Sequence, residues 1–157
     1  MDLYFVMEFI HILSAAVLFG TGLGIAFFMF VADRTGDARV IAATARTVVI
    51  ADFLFTATAV LVQPATGVGL VILTGRSLCE GWIILSLVLY VAIGAFWLPV
   101  VWLQNEMRKM AEIAASLDAP LPNRYHRFMR IWFWFGWPAF GAILVIFWLM
   151  VSKPSFA

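Results

Sequence analysis

The chain has 157 residues, enough for one domain, of which 64% are hydrophobic and 12% charged, with a net charge of +1. A soluble domain carries roughly 25% charged residues, and a chain this short cannot hide so much apolar surface from water. Composition therefore excludes a water-soluble fold and makes lipid the solvent. The charge excludes nucleic acid as a partner, since no basic face is large enough to track phosphates; the single cysteine, Cys79, excludes an intrachain disulfide and a thiolate metal cluster within the chain.

A membrane-spanning helix needs about 20 apolar residues, and four segments qualify. The first covers roughly 3–32 and stops at "DRTGDAR". It has no basic leader region and no small-residue cleavage site, so it reads as a retained helix and not as a signal peptide. The second covers roughly 39–74, opens with the amphipathic stretch "ARVIAATAR" and stops at "TGRS". The third covers roughly 81–116; its pattern continues through "NEMRKMAEIAASL", where Arg108 and Glu112 are four apart and can pair. "DAPLPN" breaks the chain, and the fourth helix covers roughly 123–152 with Asn123 as the expected N-cap. The expected fold is an all-α, polytopic four-helix membrane bundle, with residues 1–157 as a single transmembrane domain. No internal repeat or low-complexity region is present.

Orientation follows from the basic residues. Arg34, Arg39, Arg46, Arg108, Lys109, Arg124, Arg127 and Arg130 lie in or near the first and third loops, against only Arg76 and Lys153 on the opposite side. Those two loops are expected in the cytoplasm of a bacterial cell whose inner membrane holds the chain, with both termini on the far side. Orientation and headgroup contact account for these arginines without any catalytic role.

Helices in lipid associate through small residues. Ala16, Gly20 and Gly24 form one ridge on the first helix, and His11 shares the opposite face with Met7, Ser14, Ala15, Leu18 and Gly22. Two faces suited to protein contact would place this helix centrally. On the second helix Asp52, Thr56, Ala59 and Gln63 fall on one stripe, which should face inward because an ionised side chain facing lipid is costly. Gln63 lies about 16 Å beyond Asp52, towards the level of His11. The third helix offers Ser86, Tyr90 and Trp97 on one face. Arg130 should match the depth of Asp52, and the two are expected to be ion-paired or bridged by water, as a structural pair or as part of a charge relay. Pro64, Pro99 and Pro138 each remove a backbone donor, so kinks are expected.

Glu8 and His11 are ionisable residues near the start of an otherwise apolar stretch, and Met7 shares the face of His11. His11 could ligate haem iron, copper or zinc, or move protons; Glu8, nearer the interface, could hydrogen-bond the imidazole or simply face headgroups. Equally, His11 could be neutral and satisfied by Ser14, Gln63 or a backbone carbonyl. A bis-histidine haem within the chain is hard to build, because His126, the only other histidine, sits about 15–20 Å away in depth. A haem at His11 would be ligated once, or completed by sulfur such as that of Met7, by water or by a second protomer. The candidate cofactor set is His11, Met7, Gln63 and Tyr90, with His11 on the metal and Arg76 and Lys153 placed to meet haem propionates.

At these residues "HILSAAVLFGTGLGIAFFMFVADR" resembles the first helix of an uncharacterised bacterial family of small four-helix "predicted integral membrane proteins", and "RFMRIWFWFGWPAFGAILVIFWLMVSKP" resembles the end of its last helix. That likeness spans nearly the whole chain and implies no assigned activity. More distantly, the first helix is similar to the HemJ-type protoporphyrinogen oxidases and the CopD copper-resistance membrane proteins. The HemJ resemblance implies haem b on a first-helix histidine, here His11. The chain lacks an Asn-Glu-x-Pro-like ending and an intramembrane lysine, so haem binding is implied more than the oxidase activity.

Three functions compete: a membrane redox protein holding haem b (or copper) through His11, an accessory or scaffold subunit of a larger membrane complex or homo-oligomer, and a small proton or solute pathway along the Asp52–Thr56–Gln63 stripe. No nucleophile constellation, phosphate loop or paired-carboxylate motif supports hydrolysis or phosphoryl transfer. The lipid bilayer is the one partner that composition demands.

Overall fold

The structure is a computed structural model and describes residues 2–155. Four long helices make it up: Leu3–Thr35, Ala38–Leu73, Gly81–Ser116 and Asn123–Ser152. No strand occurs among the described residues. This is the all-α four-helix membrane bundle that the apolar segments specify. In the most apolar window of each helix, at most 22% of residues are buried inside the protein. A fold in water could not leave so much apolar surface bare; lipid covers it.

Local chemistry sets the ends of the helices. Asp2 accepts a hydrogen bond from the Tyr4 backbone N–H at 3.3 Å and caps the first helix. Gly36 ends it with φ of +67°, a left-handed conformation that glycine adopts without penalty. Asp37 then caps the second helix through the Arg39 N–H at 2.8 Å, so two residues both stop one helix and start the next. At the fourth helix the expected cap is displaced: Asn123 is already helical and Pro122 holds the cap position with no side-chain bond.

Neighbours follow chain order. The first helix packs on the second, the second on the third through its leading half, and the third on the fourth. The first and fourth touch lightly, with Phe19 against Phe140 and Phe147 at ring-centroid distances of 5.4 and 5.6 Å. The first helix is thus not central. Its Ala16 and Gly20 are exposed, and Gly20 and Gly22 have no neighbour within 4 Å of a hypothetical Cβ. The close approach between the first two helices is instead supplied by glycines of the second, Gly67 and Gly69, which face His11 and Met7.

The tightest packing lies at the end bearing the first and third connections, called here the basic end. Met29, Ile41, Met107 and Tyr125, one from each helix, are fully buried there. Ala42, Ala45, Ala111 and Ala114 let the second and third helices approach closely. The expected Arg108–Glu112 pair forms at 3.0 Å, and Arg46 joins the same carboxylate at 3.0 Å. A small second cluster, Trp82, Ile83 and Leu149, closes the opposite end.

The second helix is not uniform. Asp52–Thr56 is a π-helical turn, with the Ala57 N–H bonded to the Asp52 carbonyl. The extra residue rotates the chain so that Asp52 and Thr56 are both buried, in line with Val48 before them and Ala59 after. Such turns mark functional positions more often than chance.

Candidate functional site

His11 faces the second helix, one turn from Ser14 and opposite Gln63 and Thr66. Its Nδ1 lies 2.9 Å from the Thr66 hydroxyl and its Nε2 lies 3.1 Å from the Gln63 amide nitrogen. Ser14 donates to the Gln63 amide oxygen. Thr66 in turn donates to the Val62 carbonyl at 2.8 Å, the usual bond of a helical threonine to its preceding turn.

One tautomer satisfies all of these partners. The Thr66 hydroxyl proton is committed to Val62, so its oxygen accepts from His11 Nδ1–H. Nε2 then carries the lone pair and accepts from Gln63. Every polar atom of the imidazole is satisfied, as a side chain in a membrane interior requires. Ser14 and Thr66 are buried; His11, Met7 and Gln63 are half-buried. A Cβ on Gly67 would stand 3.2 Å from His11 Cε1, and one on Gly69 would overlap the Met7 methyl group. The two glycines are therefore what admits the imidazole and the thioether against the second helix.

Tyr90 is not at the imidazole. Its hydroxyl donates to the Val60 carbonyl at 2.5 Å. The cause is Pro64: with no N–H it leaves the carbonyl four residues earlier without a helical partner, and Tyr90 supplies one from the third helix. Glu8 likewise does not reach His11 but accepts from the Tyr4 hydroxyl at 3.0 Å. At the far loop Arg76 is engaged by Glu80 at 3.0 Å.

Asp52 and Arg130 form no direct ion pair. Asp52 accepts from Trp97 Nε1 at 3.2 Å. Gln104, with its amide nitrogen turned to the carboxylate, donates to Asp52 at 3.0 Å while its oxygen accepts from Trp132 Nε1 at 3.2 Å. Arg130 is exposed and lies in a cleft with Asp33 and His126. Two residues on a helix point nearly opposite ways, so Trp132 facing the core sends Arg130 outward. The Thr56 hydroxyl is buried beside Asp52.

Sequence reasoning brought His11, Met7 and Gln63 to one place, and passed over Thr66 and Gln104. Both carried a readable signal: Thr66 is three residues after Gln63, and Gln104 is seven after Trp97, each on the same helical face as its neighbour.

A family model described as "Predicted integral membrane protein (DUF2269)" matches residues 5–154. The chain belongs to this family. The family description places its members in a membrane and goes no further. No curated protein matches the chain. No solved structure matches it either. Membership thus agrees with the four spans, while the chemistry has to be argued from the polar residues that this DUF2269 chain turns inward.

Proposed function

We propose that this protein is a b-type haem-binding or redox membrane protein that uses His11. The observation that carries the reading is the contact of His11 Nδ1 with the Thr66 hydroxyl at 2.9 Å: with Nδ1–H held there, Nε2 is the nitrogen that could ligate, the arrangement usual for metal-binding histidines. The donor set fits a porphyrin, whose ring brings its own nitrogen donors and asks the protein for as little as one imidazole. A bare ion needs three or more protein ligands, and no group of three His, Cys, Asp or Glu that could hold one occurs among the described residues. Haem is therefore favoured over copper, although Met7 offers a soft sulfur on the same face.

Bound haem would supply one-electron redox chemistry. The chain's own residues orient and tune. Thr66 sets the ring plane and raises the basicity of Nε2 through Nδ1–H. Gln63, held by Ser14, occupies Nε2 in this structure and would have to yield that position to a bound haem. Tyr90 preserves the second helix through the Pro64 break, one turn from Gln63.

Protein made in haem-replete cells and purified in detergent is expected to be red, with a Soret band lost in His11→Ala and retained in Gln63→Ala. Colourless protein from such cells removes the reading.

Asp52 favours a second reading, a proton pathway along the second helix: a buried carboxylate on a π turn, beside the Thr56 hydroxyl and without a basic partner among the described residues. Proton flux into liposomes that Asp52→Asn leaves unchanged counts against it. For sidedness we adopt the asymmetry of basic residues, which puts the first and third loops in the cytoplasm and both termini across the inner membrane.

A further inference from the structure

We infer that the cleft between the ends of the first and fourth helices binds the headgroup of a phospholipid bearing a primary ammonium, of the phosphatidylethanolamine class. The cleft has a volume of about 300 Å³ and is lined by Phe30, Asp33, His126, Met129, Arg130 and Phe133. That is room for roughly ten waters, enough for a phosphate and an ethanolamine. It lies away from His11, at the basic end.

The charges in it are the argument. Asp33, Arg130 and His126 share one cleft, yet no ion pair links Asp33 to either cation. A carboxylate and a guanidinium left apart in one cleft suit a ligand that carries both signs. A phosphate matches Arg130 and the imidazole of His126, and the guanidinium presents the fork geometry that phosphate takes. An ammonium on a two-carbon tether matches Asp33. The Tyr125 hydroxyl is fully buried beside Asp33, so the carboxylate is held at the wall of the cleft by a neutral neighbour and not by a cation.

Position and surroundings choose a lipid over a soluble phosphate. Asp33 lies in the last turn of the first helix and His126 in the first turn of the fourth, the depth at which headgroups sit. In the wall of the cleft, Phe30 and Phe133 stand 5.9 Å apart, and Trp134 and Trp137 pack edge-on against Phe133. All four are exposed. A lipid whose headgroup fills the cleft therefore finds an aromatic track for its acyl chains.

The test reconstitutes the full chain in nanodiscs of mixed phosphatidylethanolamine and phosphatidylcholine and counts retained lipid by native mass spectrometry. The trimethylammonium of the choline lipid cannot donate to Asp33. The ethanolamine lipid is expected to be retained about tenfold over the choline lipid, one charge-assisted hydrogen bond's worth of selectivity. Asp33→Asn should bring that ratio near one, and Arg130→Ala should lower retention of both lipids. Equal retention by the unaltered protein overturns the proposal, as does an Asp33→Asn variant that keeps the preference. In two further arms, with phosphatidylglycerol added to the nanodiscs or inorganic phosphate added to the detergent-purified protein, stronger retention of phosphatidylglycerol, or phosphate binding with no lipid retained, overturns it too. If a variant fails to fold, the comparison of the two lipids on the unaltered protein decides alone.

Discussion

At Val60 a single carbonyl depends on a residue of another helix. Pro64 deprives it of a helical donor, and the Tyr90 hydroxyl replaces that donor. Tyr90→Phe should destabilise the detergent-solubilised protein by about 1–2 kcal/mol, the cost of an unmet buried acceptor. Pro64→Ala restores a backbone N–H, so the same Tyr90→Phe change should cost much less in that background. A double-mutant cycle on thermal unfolding reads the difference, and equal costs in both backgrounds would refute the link. The glycines opposite the imidazole make a second residue-scale case. Gly67→Ala should shift the His11 ring, because its Cβ would press on Cε1 at 3.2 Å. Gly69→Ala should move only the flexible Met7 end. Imidazole ¹⁵N resonances report which occurs. At this scale the sequence revealed His11, Gln63 and Asp52, since polar residues stand out in apolar helices. It did not reveal their partners: Tyr90 was expected near His11 and Arg130 near Asp52, and each partner depends on how neighbouring helices rotate, which a one-dimensional stripe does not record.

The second helix shows what an element adds. Its bounds and its proline were readable, while the π turn at Asp52–Thr56 was not, because hydrophobic spacing looks nearly the same with one extra residue. Deleting the exposed Leu54 should convert the turn to plain α-helix and leave the His11–Gln63–Thr66 contacts in register. Deleting two residues should scramble them, with the His11 resonances again as the readout; loss of the contacts after the single deletion would argue that the turn is not a one-residue insertion. The loop before the third helix carries a pH prediction. The Trp82 indole N–H at 2.8 Å, and then the Arg76 guanidinium at 3.0 Å, hold the Glu80 carboxyl below its ordinary value of 4.5. A group whose folded value is depressed stabilises the fold above its unfolded value, and loses that contribution as pH falls through the folded one. Thermal stability should therefore decline on acidification below about pH 4.5 more steeply in the unaltered protein than in Glu80→Gln. Parallel pH profiles would contradict this.

Over the whole molecule the helices meet in chain order, packed hardest at the basic end, where each contributes a fully buried side chain. Eight basic residues stand at that end against two at the other, so it should face the cytoplasm. Cys79 is exposed in the opposite loop. It is expected to react with a membrane-impermeant maleimide from outside intact spheroplasts; reaction only after lysis would reverse the orientation.

By itself the sequence determined the solvent, the number of spans and the rare side chains that had to turn inward, because apolar length and the cost of charge in lipid are properties of single helices. Only the tertiary structure decided which small-residue ridge was used, that Thr66 fixes the imidazole, that Tyr90 repairs the proline break, and that Asp33 and Arg130 share a cleft unpaired. Those outcomes turn on the relative rotation of helices in a solvent as apolar as their own surfaces, where side-chain fit and hydrogen bonding, more than hydrophobicity, select the packing.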